Sequence, residues 1–317
     1  MRRALLVPFA LLALLPPTIS ACAAPRATIA SSPVQATLAT DDRIRLAETF
    51  RLAGAIGDQI WPAWTSAPFA VLLVTPDREF LVRHPRPTAD FSRVGYDSLL
   101  GGDVFSRPRK LAPSFLATYP AVGGVPTIVV GQPAATQKSS TTWVLTLLHE
   151  HFHQLQMSRP GYYDGVAALG LSRGDQTGMW MLNFPFPYDS SAVAARFAEL
   201  TRRLDGALDD TRGDSSAARW RAVADARATL RAALSSDDEK YLAFQMWQEG
   251  VARYTELQVA RWAAERYASS AAFRALPDYT SFGSAAAAIE GKIRAELRAS
   301  DLGRARRVLF YPVGAAT

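Results

Sequence analysis

A chain of 317 residues is long enough to bury a sizeable core, as one large domain or two small ones. A hydrophobic fraction of 49% against 20% charged residues excludes a disordered chain. The net charge of +6 comes almost wholly from arginines scattered among acidic residues rather than gathered with aromatics into a basic stripe. That distribution argues against nucleic acid as a partner.

The N-terminus reads as an address. Met1-Arg2-Arg3 is a short positive segment, and Ala4 to Leu15 is apolar, interrupted by Pro8 only. Residues 1–21 therefore read as a secretory signal, too short and wrongly flanked for a permanent membrane span. Ile19-Ser20-Ala21-Cys22 resembles the bacterial lipobox, and Cys22 is the only cysteine in the chain. The resemblance implies an exported protein held to the membrane of the cell envelope by acyl chains on Cys22, which also accounts for an unpaired cysteine in an exported chain. The plainer alternative is an ordinary signal peptide with a free cysteine nearby. Residues 22–40, rich in Ala, Ser, Thr and Pro, read as a flexible tether.

Asp41-Asp42 opens a helix whose apolar residues, Ile44, Leu46, Ala47, Phe50, Leu52 and Ile56, recur at helical spacing as far as Gly57. Phe69–Val74 and Phe80–His84 read as a β-hairpin. His84, at its end, reads as a surface or hydrogen-bonded histidine rather than a ligand. Residues 87–125 give no clear element. Pro126–Gly131 is a further strand, leading through a polar turn into a helix around residues 143–156. Ser158-Arg159-Pro160-Gly161 stops that helix. The aromatic, Gly- and Pro-rich stretch 162–188 reads equally as a loop packed down by its own rings or as a substrate-facing segment. Helices follow at Ser191–Leu208, Ser215–Leu234, Ser236–Tyr267 and Ser284–Arg298, and Arg307–Tyr311 reads as a short strand or helix entry. The small apolar residues at 314–317 read as a helix begun, as in a truncated form of a longer protein. The fold class expected is α+β: a small N-terminal antiparallel or mixed sheet with an edge strand before the histidine helix, then a mainly helical C-terminal half. Residues 41–317 would form one catalytic domain.

The chemistry is concentrated in His149-Glu150-His151-Phe152-His153, which holds three of the four histidines. Residues four apart on a helix lie one above the other, so His149 and His153 can converge on one metal ion, and Glu150 is then placed to take a proton from water on that ion. At about 100° per residue, Thr142, Thr146, His149, His153 and Gln156 form one polar strip on an otherwise apolar helix. A buried polar strip needs a partner, and a metal ion supplies one. His151 projects to the opposite side and is excluded as a ligand.

Zinc on two histidines needs a third protein ligand, leaving a position for water. The best candidate is Glu249, a carboxylate on an apolar helix among Leu242, Met246 and Ala252, where an unpaired charge would be costly. Gly250 beside it lets another backbone come close. Glu256 shares the same face and can orient an imidazole from behind. The competing reading of Glu249 is a surface carboxylate paired with Arg253.

Together, His149-Glu150-x-x-His153 and Glu249-Gly250-x-Ala252-Arg253-Tyr254 resemble the gluzincin class of zinc metallopeptidases, which includes the thermolysin-like enzymes. The likeness covers these two helices and the strand before the first. It implies Zn2+ on His149, His153 and Glu249, Glu150 as general base and acid, and a peptide or protein substrate paired with an edge strand at Thr127–Val130. There are departures. The 149-to-249 separation is longer than in thermolysin-like enzymes, Arg253 stands where those enzymes carry an aspartate, and no histidine follows His153. Oxyanion stabilisation would then fall to a tyrosine, Tyr254 or Tyr311. The alternatives from other classes are a non-catalytic zinc-binding envelope protein and a helical lipoprotein without metal.

Overall fold

The computed structural model describes residues 37–209 and 214–317. The signal segment, Cys22 and most of the tether lie outside the described residues. Helix α1 (Thr40–Ile60) has Asp41 and Asp42 in its first turn. Asp42 is nevertheless buried, accepting from Arg45 and from Gln132 Nε2 at 2.6 Å.

Six strands follow: β1 (Val71–Val74), β2 (Arg78–Val82), β3 (Ser92–Asp97), β4 (Gly102–Pro108), β5 (Leu116–Val122) and β6 (Val125–Gly131). They form one mixed sheet in the order β3-β4-β2-β1-β6-β5, in which only the β1–β6 pair is parallel. The hairpin around residues 75–77 is present, with Val74 opposite Glu79. Three of the strands arise in residues 87–125, where the sequence offered no clear element.

One expectation is corrected here. Thr127–Val130 belongs to β6, which is flanked by β1 and β5 and is therefore an interior strand. The edge beside it is β5. The reason is burial: Ile128 and Val130 pack against the helices, whereas Val129 joins a smaller cluster on the other face with Leu72, Leu81 and Phe91. A run buried on both faces reads as continuously apolar.

The chain then becomes helical: α2 (Ser140–Ser158), α3 (Tyr162–Ala168), α4 (Trp180–Asn183), α5 (Ser191–Leu208), α6 (Asp214–Arg231), α7 (Ser236–Gln245), α8 (Val251–Arg266), α9 (Ala271–Arg274), α10 (Phe282–Ala299), α11 (Leu302–Ala305) and α12 (Phe310–Ala316). The α+β class is as expected, and all described residues belong to one compact unit. Arg307–Tyr311 is a helix entry, a 3-10 turn running into α12. The aromatic stretch packs down, with Phe184 stacked on Tyr241 and Phe186 edge-on to Phe310. His84 is buried and hydrogen-bonded, its Nε2 3.1 Å from the Val122 carbonyl. Among the described residues, no helix is long and apolar enough to cross a membrane.

Candidate metal centre

Helix α2 is fixed at its N-terminal end before its histidines come into play. Ser139 caps it by accepting from Thr142 N, and Trp143 Nε1 donates to the Gly131 carbonyl at 2.8 Å, tying the helix to the end of β6. Ser140 takes part in a buried network with Arg45 and Asp278. On the polar strip, Thr146 satisfies itself on the Thr142 carbonyl, which leaves His149, His153 and Gln156 facing the second helical limb.

That limb is α7 and α8, joined by a single π-turn at Met246–Gly250 that contains Glu249. A π-turn inserts one extra residue into the helical spiral and shifts the direction of the side chains on it. The turn is wedged against α12: a Cβ on Gly250 would lie 2.4 Å from Gly314 Cα, so only glycine permits the approach.

The donor atoms of His149, His153 and Glu249 all lie within 4.8 Å of one another. Glu249 Oε2 is 3.5 Å from His153 Nε2 and 3.8 Å from His149 Nε2. A tetrahedral ion with bonds of about 2.1 Å separates its ligand atoms by about 3.4 Å. The two Glu249 contacts are within a few tenths of an ångström of that separation. This group could hold a metal ion.

The surrounding bonds select the ligating nitrogens. Gln156 Nε2 donates to the carbonyls of Trp247 (3.1 Å) and Gln248 (3.2 Å), which fixes its amide so that Oε1 faces His153 Nδ1 at 2.8 Å. Two groups compete for Nδ1, the Gln156 oxygen at 2.8 Å and Gln248 Nε2 at 3.1 Å; the shorter contact, to an acceptor, favours a proton on Nδ1 and the Nε2 lone pair toward Glu249. Behind His149, Nδ1 is buried without a hydrogen-bond partner and faces Glu256 Oε2 at 3.6 Å. A slight turn of the ring toward a bound ion would close that contact. Arg253 pairs with Glu256 and Glu296 rather than with Glu249.

Two imidazoles among carboxylates hold protons tightly when no metal competes. Burial works against the charged form of His149, but Glu249, Glu256 and Glu150 outweigh it and push its pKa up to about 10. His153 is raised by Glu249 against the same burial, and Glu249 is held well below the usual carboxylate range by both imidazoles despite its own burial. His151 behaves in the opposite way. It is stacked on Phe69 with ring centroids 3.7 Å apart, bonded to Gln154, and pushed down to about 4 by burial. It is a core residue.

Glu150 has a partner that the sequence reading missed. Thr118 Oγ1 on β5 lies 2.7 Å from Glu150 Oε2 and 3.2 Å from the Glu150 carbonyl. The available signal was Pro120, two residues further on, because a proline inside a strand marks an edge. Of the two tyrosines, Tyr311 on α12 is half-buried and close enough for Glu249 and Glu150 to oppose its ionisation. Burial is the larger influence, and the phenol is held protonated beside Arg307, which donates to it. Tyr254 does not join the site; it is 39% exposed and lies two residues, about 200° of helix, from Glu256.

Comparison with known proteins finds no matching family model, no matching curated protein and no matching solved structure.

Proposed function

We propose that this chain is an exported zinc-dependent hydrolase of the gluzincin type, a metallopeptidase anchored to the envelope through Cys22. The observation that carries the reading is the meeting of Glu249 with His149 and His153, three ligand-type side chains from two helices about a hundred positions apart, with Glu150 beside them. Among the described residues the candidate group comprises three side chains, which suits a catalytic site with an open position better than a closed structural one. Zinc, when bound, would supply Lewis acidity and an acidified water.

The rest is work for the protein's own groups. Glu150 takes a proton from the attacking water and returns it to the leaving amine. Thr118 holds that carboxylate in place. Tyr311, kept protonated by its surroundings, donates a hydrogen bond to the developing oxyanion. The edge of β5, unpaired among the described residues, is where an extended peptide would lie, in place of the β6 strand expected from sequence. The export and anchoring part of the proposal rests on residues 1–22 alone and is tested separately by Cys22→Ser, which should release the protein from membranes.

The decisive experiment pairs metal analysis with turnover of a quenched-fluorescent peptide library. Wild-type protein should hold one zinc and cleave. Glu150→Gln should hold one zinc and lose at least a thousandfold in turnover; hydrolysis retained in that variant would sink the mechanism.

A further inference from the structure

A cavity of about 640 Å³ opens beyond the Nδ1 edge of His153, with Gln156 standing between ring and cavity. None of His149, Glu150, His153 or Glu249 lines it, so it is separate from the metal centre. Its volume lies within the range of about 300–1,000 Å³ usual for ligand pockets. The walls are apolar and aromatic, built from Tyr162, Val166, Leu169, Phe244 and Trp247, and Trp247 remains 44% exposed. Such a surface left open on a folded chain marks a place where something binds.

The charges at the rim narrow the choice. Three charged residues line the cavity: Arg159, Glu239 and Lys240. Glu239 pairs with Arg231, which lies outside the lining, in an exposed contact, so Arg159, Lys240 and Glu239 together leave the lining one net positive charge. Among the described residues Lys240 has only an exposed contact with Asp237, and contacts of that kind hold little energy. Arg159 donates to the Pro62 carbonyl at 2.9 Å and has no carboxylate partner among the described residues. Apolar walls below an uncompensated guanidinium and a loosely held ammonium fit a molecule that is apolar along its length and anionic at one end.

The cavity is also connected to the metal centre by hydrogen bonds. Gln156 accepts from His153 Nδ1 and donates to the carbonyls of Trp247 and Gln248, and the Tyr162 hydroxyl lies 3.2 Å from Gln248 Oε1. Tyr162 and Trp247 are walls of the cavity. A ligand pressing on them therefore bears on the groups that hold the amide of Gln156, and through it the imidazole of His153. From this geometry we infer that the cavity is a second ligand site, taking a long-chain carboxylate with its chain against the aromatic walls and its head at Arg159 and Lys240, and that its occupancy is felt at His153. The coupling half of this inference rests on the metal reading given above; the binding half does not.

The probe is decanoate, titrated below its micelle concentration against the whole protein while tryptophan emission is followed. The blocking variant is Gly165→Leu. Gly165 lines the cavity on α3, and a Cβ built there meets nothing within 4 Å, so the backbone has room for a side chain at this position. Wild-type protein should bind decanoate saturably, with affinity at least tenfold weaker in Gly165→Leu and in Arg159→Ala, and at least tenfold weaker for decanol. Absence of saturable binding, or equal binding by Gly165→Leu, overturns the site, and equal binding of decanol overturns its anionic character. For the coupling, zinc-loaded protein freed of excess metal and metal-free protein should differ at least threefold in decanoate affinity, reciprocally with zinc. Equal affinities overturn the coupling. A protein that retains no zinc overturns the metal reading and the coupling with it, and leaves the cavity to be decided by the decanoate arm.

Discussion

The metal centre should bind its ion in competition with protons, and the size of that competition follows from the carboxylates packed around His149. In the metal-free protein Glu249, Glu256 and Glu150 hold His149 protonated up to a pKa of about 10. A ligand nitrogen must shed its proton before it binds metal. Counting His149 alone, the penalty at pH 7 is about a thousandfold in apparent affinity, or roughly 4 kcal/mol, and the raised His153 adds to it. The sign is fixed: affinity rises as pH rises, by about tenfold per unit, and levels off near pH 10. Competition titrations with a chromophoric chelator between pH 6.5 and 9 measure the slope, and calorimetry in buffers of differing ionisation enthalpy should count at least one proton released per ion. Glu256→Gln removes one of the carboxylates that hold the proton, so its plateau should arrive at lower pH and its slope should flatten first. The same linkage acts on folding without metal. A histidine raised in this way adds stability that is fully present below its unfolded pKa of about 6.5 and is lost as pH climbs toward 10, so metal-free protein should melt at lower temperature at pH 9 than at pH 7. A flat affinity between pH 7 and 9 would refute the account of how His149 is surrounded.

Three substitutions probe the supports. Thr118→Val removes the hydroxyl beside the Glu150 carboxylate and should lower kcat about tenfold with KM little changed, while Thr118→Ser, which keeps the hydroxyl, should restore it to within about twofold. Gly250→Ala drives a methyl into Gly314 and should cost about 1–3 kcal/mol in urea unfolding together with metal content, whereas Gly165→Ala, which meets open space in a helix, should be neutral or slightly stabilising. Arg107→Ala strands the fully buried Glu79 carboxylate, to which Arg107 Nε donates at 2.6 Å, and should destabilise by about 3–5 kcal/mol; a loss below about 1 kcal/mol would show that the Lys110 and Leu111 amides satisfy Glu79 unaided.

Where local chemistry demanded a partner, the sequence could be read. An apolar helix with one polar strip announced His149 and His153, and a carboxylate on a second apolar helix announced Glu249. Gly250 announced the close approach that Gly314 makes. The π-turn under Glu249 left no such mark, because one extra residue in a helical run changes no periodicity long enough to notice. Strand β3 escaped for a different reason: it is half-exposed, carries a register shift between Arg93 and Gly95, and alternates too weakly to stand out.

The misplaced edge is the more useful case. A run such as Thr127-Ile128-Val129-Val130, buried on both faces and free of charge, fits an interior strand better than an edge, where charged residues usually guard the open backbone. A proline has no N–H to donate, so Pro120 fits an edge strand or a bulge, and it lies at both: in the edge strand β5, at the register shift between Tyr119 and Val122. Assigning the edge by those two rules puts Thr118, rather than any residue of β6, against Glu150, and it puts the unpaired backbone of β5 where an extended chain can reach the same carboxylate. The residue that orders the candidate base and the strand that would receive the substrate are thus one element. Substitutions on the open side of β5 that block strand pairing should therefore raise KM, and those at Thr118 should lower kcat.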